Sequence, residues 1–177
     1  MTSTTLIHRC QQGEKAAFRE LYERYVKAML NISQRIVNNA EEAEDVLQES
    51  FLAVFQNIAK VRSDAEFGGY LKKTVVNRSI DLIRKRKVDF QPLEEARFVG
   101  ETETEDEPEY DVALLQNCIR ELPDGFRVVL TLYLFENYSH REIGNLLNIR
   151  EGTSKSQYNR ARQKLAELYR KKLMIHA

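Results

Sequence analysis

Cysteine, proline, histidine and glycine are all scarce in this chain, at two, three, three and seven among 177 residues. Cys10 and Cys118 lie too far apart in sequence for a disulfide framework or a metal knuckle, and are expected to be free thiols of a reducing cytoplasm. The glycines form neither a G-x-x-x-x-G-K-[ST] loop nor a G-x-G-x-x-G turn. His8, His140 and His176 make no metal spacing with either cysteine, so neither a metal nor a cofactor is expected. Carboxylates are abundant but form no recognisable acid/base pair, so the chain does not read as an enzyme. No apolar run approaches the ~20 residues of a membrane span. Residues 1–10 carry His8 and Arg9 and no apolar stretch, and no signal peptide is expected there. What remains is a composition with 42% apolar and 31% charged residues, that of a soluble globular chain.

The formal net charge of zero hides a segregation. Residues 1–88 carry +4, residues 89–111 carry −9 and residues 112–177 carry +5. The central strip DFQPLEEARFVGETETEDEPEYD holds two of the three prolines and has no apolar period. Self-repulsion and poor burial predict a flexible acidic linker between two modules.

Both modules read as helical, since no Val/Ile-rich alternating runs bounded by turn dipeptides occur. From Glu41 to Ile58 the apolar or small positions Ala43, Val46, Leu47, Ser50, Phe51, Val54, Phe55 and Ile58 recur at three- and four-residue steps. Helices are also predicted around Phe18–Ile36 and from Phe67 to about Arg86. In the second module Pro123 opens a helix with Phe126, Val129, Leu130, Tyr133 and Leu134 on one face. Ser139 and Glu142 make a capping box for a short helix stopped near Asn148, and a longer basic helix runs from about Arg150 to Lys172. A short capped helix, a turn and a basic helix form a helix-turn-helix.

Three surfaces carry chemistry. On the last helix the stripe Ser154, Tyr158, Ala161, Leu165 and Leu168 faces inward, so Lys155, Ser156, Asn159, Arg160 and Gln163 face outward as donors for base edges and phosphates. Gly152 and Thr153 lie in its first turn, where a small residue lets phosphate approach the backbone amides. A second cluster, Lys72, Lys73, Arg78, Arg84, Lys85, Arg86 and Lys87 with Asn77, Phe67 and Tyr70, mixes cations with rings as single-stranded nucleic acid requires. Third, the polar side of the Glu41–Ile58 helix carries Asp45, Gln48 and Glu49 around Leu52, an acidic rim about an apolar centre that suits docking onto a basic partner.

Three segments then point to one family. AEEAEDVLQESFLAVF, FGGYLKKTVVNRSIDLIRKRK and LPDGFRVVLTLYLFENYSHREIGNLLNIREGTSKSQYNRARQKL resemble the core-polymerase-binding, minus-ten and minus-35 segments of small bacterial RNA polymerase sigma factors of the extracytoplasmic-function (ECF) type. The resemblance implies an all-α protein: sigma region two over 1–88, the acidic linker 89–111, and sigma region four with its helix-turn-helix over 112–177. It implies that Asp45, Gln48, Glu49 and Leu52 meet core RNA polymerase. Residues Arg62 to Phe67, with Ser63 and Asp64, would form a loop that captures a flipped promoter base. Tyr70, Lys73, Asn77, Arg78 and Arg84 would continue the minus-ten surface. Gly152, Thr153, Lys155, Ser156, Asn159, Arg160 and Gln163 would read the minus-35 element. Core polymerase, promoter DNA and an anti-sigma factor are the implied partners, in the cytoplasm. Departures from the family are Tyr70 for its usual Trp, Arg150 for a capping Ser, and Ser154 and Tyr158 for Val and Leu of the core stripe. A stand-alone helix-turn-helix regulator is the rival reading, but it leaves the acidic helix and residues 67–87 without work.

Overall fold

The computed structural model describes residues 5–87, 90 and 110–176. These fall into two compact units, one within Met1–Lys87 and one within Val88–Ala177. Among the described residues all regular structure is helical, and no helix is long and apolar enough to cross a membrane.

The first unit contains α1 (Leu6–Gln11), α2 (Lys15–Val37), α3 (Ala40–Gln56), a 3₁₀ turn (Ile58–Lys60) and α4 (Asp64–Lys85). Its boundaries are set by local hydrogen bonding. Asn38 ends α2 in the left-handed conformation, and the next residue, Asn39, accepts the Glu42 amide to begin α3. An αL asparagine followed by an Asn cap turns the chain within two residues. Ser63 caps α4 by accepting the Glu66 amide, while the Glu66 carboxylate accepts the Arg62 amide at 2.7 Å. Helices α2, α3 and α4 pack mutually around Leu21, Ile36, Leu47, Val54, Leu71 and Val75. At one end a ring cluster closes the core: Phe55 meets Phe18 edge-on at 5.0 Å and stacks on Phe67 at 5.9 Å, and Tyr25 tilts against Phe67 at 5.4 Å.

The second unit contains α5 (Val112–Glu121), α6 (Asp124–Leu134), α7 (His140–Leu147) and α8 (Glu151–His176). Helix α8 packs on the other three, burying Ala161 among Ile119, Leu122 and Leu130 in its first half and Tyr169 against Leu114 and Cys118 in its second. The capping box of Ser139 and Glu142 is present, and Asn148 stops α7 at φ 54°. The buried Arg127 guanidinium donates to the Leu122 carbonyl at 3.1 Å and pairs with Asp124, so its charge is matched where it is desolvated.

The acidic strip lies outside the described residues except at positions 90, 110 and 111, which fall in the second unit. Phe90 is buried and its carbonyl accepts the Gln157 side chain at 3.0 Å. Tyr110 meets Tyr169, and Asp111 caps α5. Helices α1 and α5 were also not expected, since six and ten residues are too few for a convincing period.

Where α7 and α8 meet, a Cβ on Gly144 would lie 2.8 Å from the backbone oxygen of Ile149. A β-branched side chain has no room there, so Gly144→Val should lower the thermal midpoint by the equivalent of ~1–3 kcal/mol. Gly69→Ala, whose Cβ meets nothing within 4 Å, should raise stability by ~0.5–1 kcal/mol through the glycine's lost chain entropy. The same junction titrates. Burial, then the charge of Lys155, push the His140 imidazole below its ordinary value, with Glu151 opposing. Because the folded-state value is depressed, this contribution to stability is present above about pH 6.5 and lost as pH falls through the folded-state value. Thermal midpoints measured at pH 7.5 and 5.5 should fall more for the wild type than for His140→Phe.

Candidate nucleic-acid interface

On α3 the four residues expected to dock, Asp45, Gln48, Glu49 and Leu52, are all exposed. Their spacing of three, four and seven residues places them on one face of the helix, opposite the buried Val46, Leu47, Ser50 and Val54. Leu52 is 60% exposed, an apolar centre flanked by two carboxylates and an amide. Asp45 and Glu49 also line a groove of about 250 Å³ between α3 and α4.

Helix α4 divides the basic cluster. Tyr70, Lys73 and Arg84 are exposed and Asn77 is half-buried; with that spacing they share one flank of the helix. Arg84 lies 3.6 Å from Asp81 on the same flank. Arg78 is elsewhere: its guanidinium donates to Glu49 at 2.8 Å, across the groove on α3. Arg86 reaches back to the Val37 carbonyl at 2.8 Å and to Glu42, which caps the end of α2 and takes its charge away from the stripe.

The expected loop from Arg62 to Phe67 is a correction. Asp64 onward is already helix α4, because Ser63 with Glu66 forms a cap that folds the first turn. Phe67 has no exposed surface and is held between Tyr25 and Phe55. Asp64 is committed internally. One carboxylate oxygen accepts the Ile7 amide at 3.4 Å, the other pairs with Arg24 at 3.3 Å, and its carbonyl accepts the Tyr25 hydroxyl. Only Arg62 and Ser63 remain exposed in the connection. That connection is braced from below by Gln11, whose side chain donates to the carbonyls of Ile58 and Val61 at 3.2 and 2.9 Å. Gln11 was missed because α1 is too short to show its facing in sequence.

On α8 the inward stripe is as expected at Ser154 and Ala161, which are buried, with Tyr158 and Leu165 half-buried. The two departures from the family stripe are accommodated together. The Ser154 hydroxyl is hydrogen-bonded to His140 Nδ1 at 2.9 Å, and Tyr158 packs on Tyr133 at 4.5 Å and on His140 at 5.6 Å. His140 itself stacks on Tyr133 at 4.3 Å. A buried polar group with a partner carries no desolvation penalty comparable to an orphaned one.

Lys155 and Gln163 are exposed on the outer side, and Ser156, Asn159 and Arg160 are half-buried. Lys155 pairs with Glu151 at 2.9 Å, and Ser156 donates to the Thr153 carbonyl. The Lys155 pair also holds the Glu151 carboxyl below its usual range. Gly152 is exposed, and a Cβ there would meet nothing within 4 Å, so nothing packed inside the chain requires a glycine. Arg162 sits 5.9 Å over the Tyr158 ring, off the centre of the outer face. Gln157 was not expected in this set; it lies beside the reader residues but is buried and holds Phe90. Among the described residues no His/Cys/Asp/Glu group could hold a metal ion.

Comparison with known proteins finds relatives of both units. The Sigma-70 region 2 family matches residues 21–88 and the Sigma-70, region 4 family matches residues 113–165, together roughly two thirds of the chain. The ECF RNA polymerase sigma factor SigW of Bacillus subtilis is 29% identical over 93% of this chain and 95% of its own. The RNA polymerase sigma-H factor of Pseudomonas aeruginosa is 29% identical over 89% of each. Among solved structures, the sigma factor RpoE of Bartonella quintana, crystallised with the anti-sigma factor NepR, shares the fold at a TM-score of 0.55 and 18% identity, covering 86% of this chain and 96% of that one. With the two sigma-70 regions present in order and such relatives aligned along nearly its whole length, the chain belongs to the sigma factors of the ECF type.

Proposed function

We propose that the first unit binds core RNA polymerase through the α3 face and opens the minus-ten element along α4, while the second unit reads the minus-35 element with α8. The observation that carries this is the division of polar surface into exposed stripes of different chemistry. An acidic rim about Leu52 suits a basic protein surface. Tyr70, Lys73 and Asn77 offer a ring, a cation and an amide to unstacked bases. Helix α8 presents Lys155, Asn159, Arg160 and Gln163 to a groove. In this reading residues 62–67 do not form the capture pocket alone; Arg62 and Tyr70 border it, and Phe67 and Asp64 support it from inside.

The energetics suit an initiation factor. Unstacking a base costs a few kcal/mol, and stacking on a ring such as Tyr70 returns ~1–3 kcal/mol per base. No chemistry is catalysed by this chain; nucleotide addition belongs to the polymerase, and the protein acts in the cytoplasm. An anti-sigma factor is a further proposed partner, supported by the complex in which the structural neighbour was solved. A stand-alone regulator is not favoured, since it would leave the α3 and α4 stripes idle.

Two measurements test the reading. Reversing Asp45 and Glu49 to Lys should weaken binding to core polymerase at least tenfold, roughly 1.4 kcal/mol, with little change in thermal midpoint, because both side chains are exposed. Unchanged affinity in a titration with purified core enzyme would refute the docking assignment. For the reader helix, Arg160→Ala should relax sequence preference in a randomised minus-35 element, a bidentate guanine contact being worth ~1–3 kcal/mol. Arg162→Ala should weaken binding evenly across sequences and lower the salt slope by about one phosphate's share. The reverse pattern would show that the groove meets the other side of α8.

A further inference from the structure

We propose that Arg78 is a positioning residue for docking on core polymerase and not a contact to DNA, an inference that rests on reading α3 as the docking helix. Arg78 follows Asn77 by one residue and is therefore turned about 100° around α4 from it. It forms, with Leu82 and Lys85, the α4 wall of the groove whose α3 wall carries Asp45 and Glu49. Its Nη1 lies 2.8 Å from Glu49 Oε2. The Glu49 side chain is 64% exposed, and an unrestrained glutamate there would sample many rotamers and lose that freedom on binding. Arg78 takes one carboxylate oxygen and holds the group in place, so that Glu49 presents its Oε1 already oriented to an incoming cation. Preorganisation of this kind strengthens association by lowering its ordering cost. The surface it fits is a polymerase surface bearing Arg or Lys, since Asp45, one turn away on the same wall of the groove, adds a second exposed carboxylate. The same neighbours make Arg78 a poor phosphate ligand: its charge is matched by Glu49, and Asp45 beside it would repel a phosphate.

A double-mutant cycle on the full-length protein separates the two roles. Arg78→Ala and Glu49→Ala should each lower affinity for purified core polymerase by about five- to tenfold, and the double variant should be no weaker than either alone, the signature of one coupled unit. Arg78→Lys, which keeps a cation for Glu49, should retain most of the affinity. Thermal midpoints should stay near the wild type, since an exposed ion pair adds little to stability. Holoenzyme assembled with saturating Arg78→Ala protein should keep the wild-type preference across a randomised minus-ten element. Losses that multiply in the double variant, wild-type core affinity in Arg78→Ala, or an altered minus-ten preference would each overturn the proposal. A wild-type protein that fails to bind core polymerase would overturn the docking reading itself, and this inference with it.

Discussion

The first turn of α4 ties every helix of the first unit to the others. Asp64 accepts the Ile7 amide at the start of α1 and pairs with Arg24 of α2. Its carbonyl takes the Tyr25 hydroxyl. Phe67, one turn on, is fully buried between Tyr25 of α2 and Phe55 of α3, and full burial of such a ring contributes ~1.5–3 kcal/mol. Gly68 is part of the same joint: a Cβ there would come within 3.0 Å of the Tyr25 ring. This anchoring at the start of α4 sets where Tyr70, Lys73 and Asn77 lie around the helix further along.

In the second unit one helix builds the core and, in the proposed function, also reads DNA. Helix α8 buries Ala161 and Tyr169 while carrying Lys155, Asn159, Arg160 and Gln163 on its outer side. Its register against α7 is fixed at a crowded joint, where Gly144 lets the Ile149 carbonyl approach and His140 joins Tyr133, Tyr158 and Ser154 in one contact cluster. Ser154 and Tyr158 each bring a polar side chain to this joint. The imidazole bonds to Ser154, stacks on Tyr133 and meets Tyr158 edge-to-face. Packing shape and hydrogen bonding therefore constrain the same few residues, and through them the angle of the reader helix.

Charge is used in two ways on these surfaces. Arg86 and Arg127 each donate to a backbone carbonyl and pair with a carboxylate at a helix end. Lys73 and Lys155 are exposed on helix surfaces, Lys155 beside Glu151, and in the proposed function their charge faces nucleic acid. The basic composition of residues 72–87 does not distinguish these uses, because formal charge counts residues and not their partners.

The stripe on α3, the capping box at Ser139, the stop at Asn148 and the inward set Ser154, Ala161 and Leu165 were all legible in the sequence. Each is a local rule: a helix period, a side chain reaching an amide three residues away, an asparagine tolerant of positive φ. The all-helical class follows from the same rules repeated. Other features were decided only by tertiary structure. Whether Phe67 offers its ring to a base or to Tyr25, whether Arg78 turns to Asn77's flank or to Glu49, and whether Phe90 belongs to a tether or to the side of α8 depend on groups 29 to 67 residues away. The short α1 and its Gln11 brace belong here too, since six residues bury one face only against partners that the local pattern does not name. Helical periodicity specifies which face of a helix is apolar, but the partner that covers each flank is set by long-range packing, and that choice separates the side chains holding the fold from those left exposed.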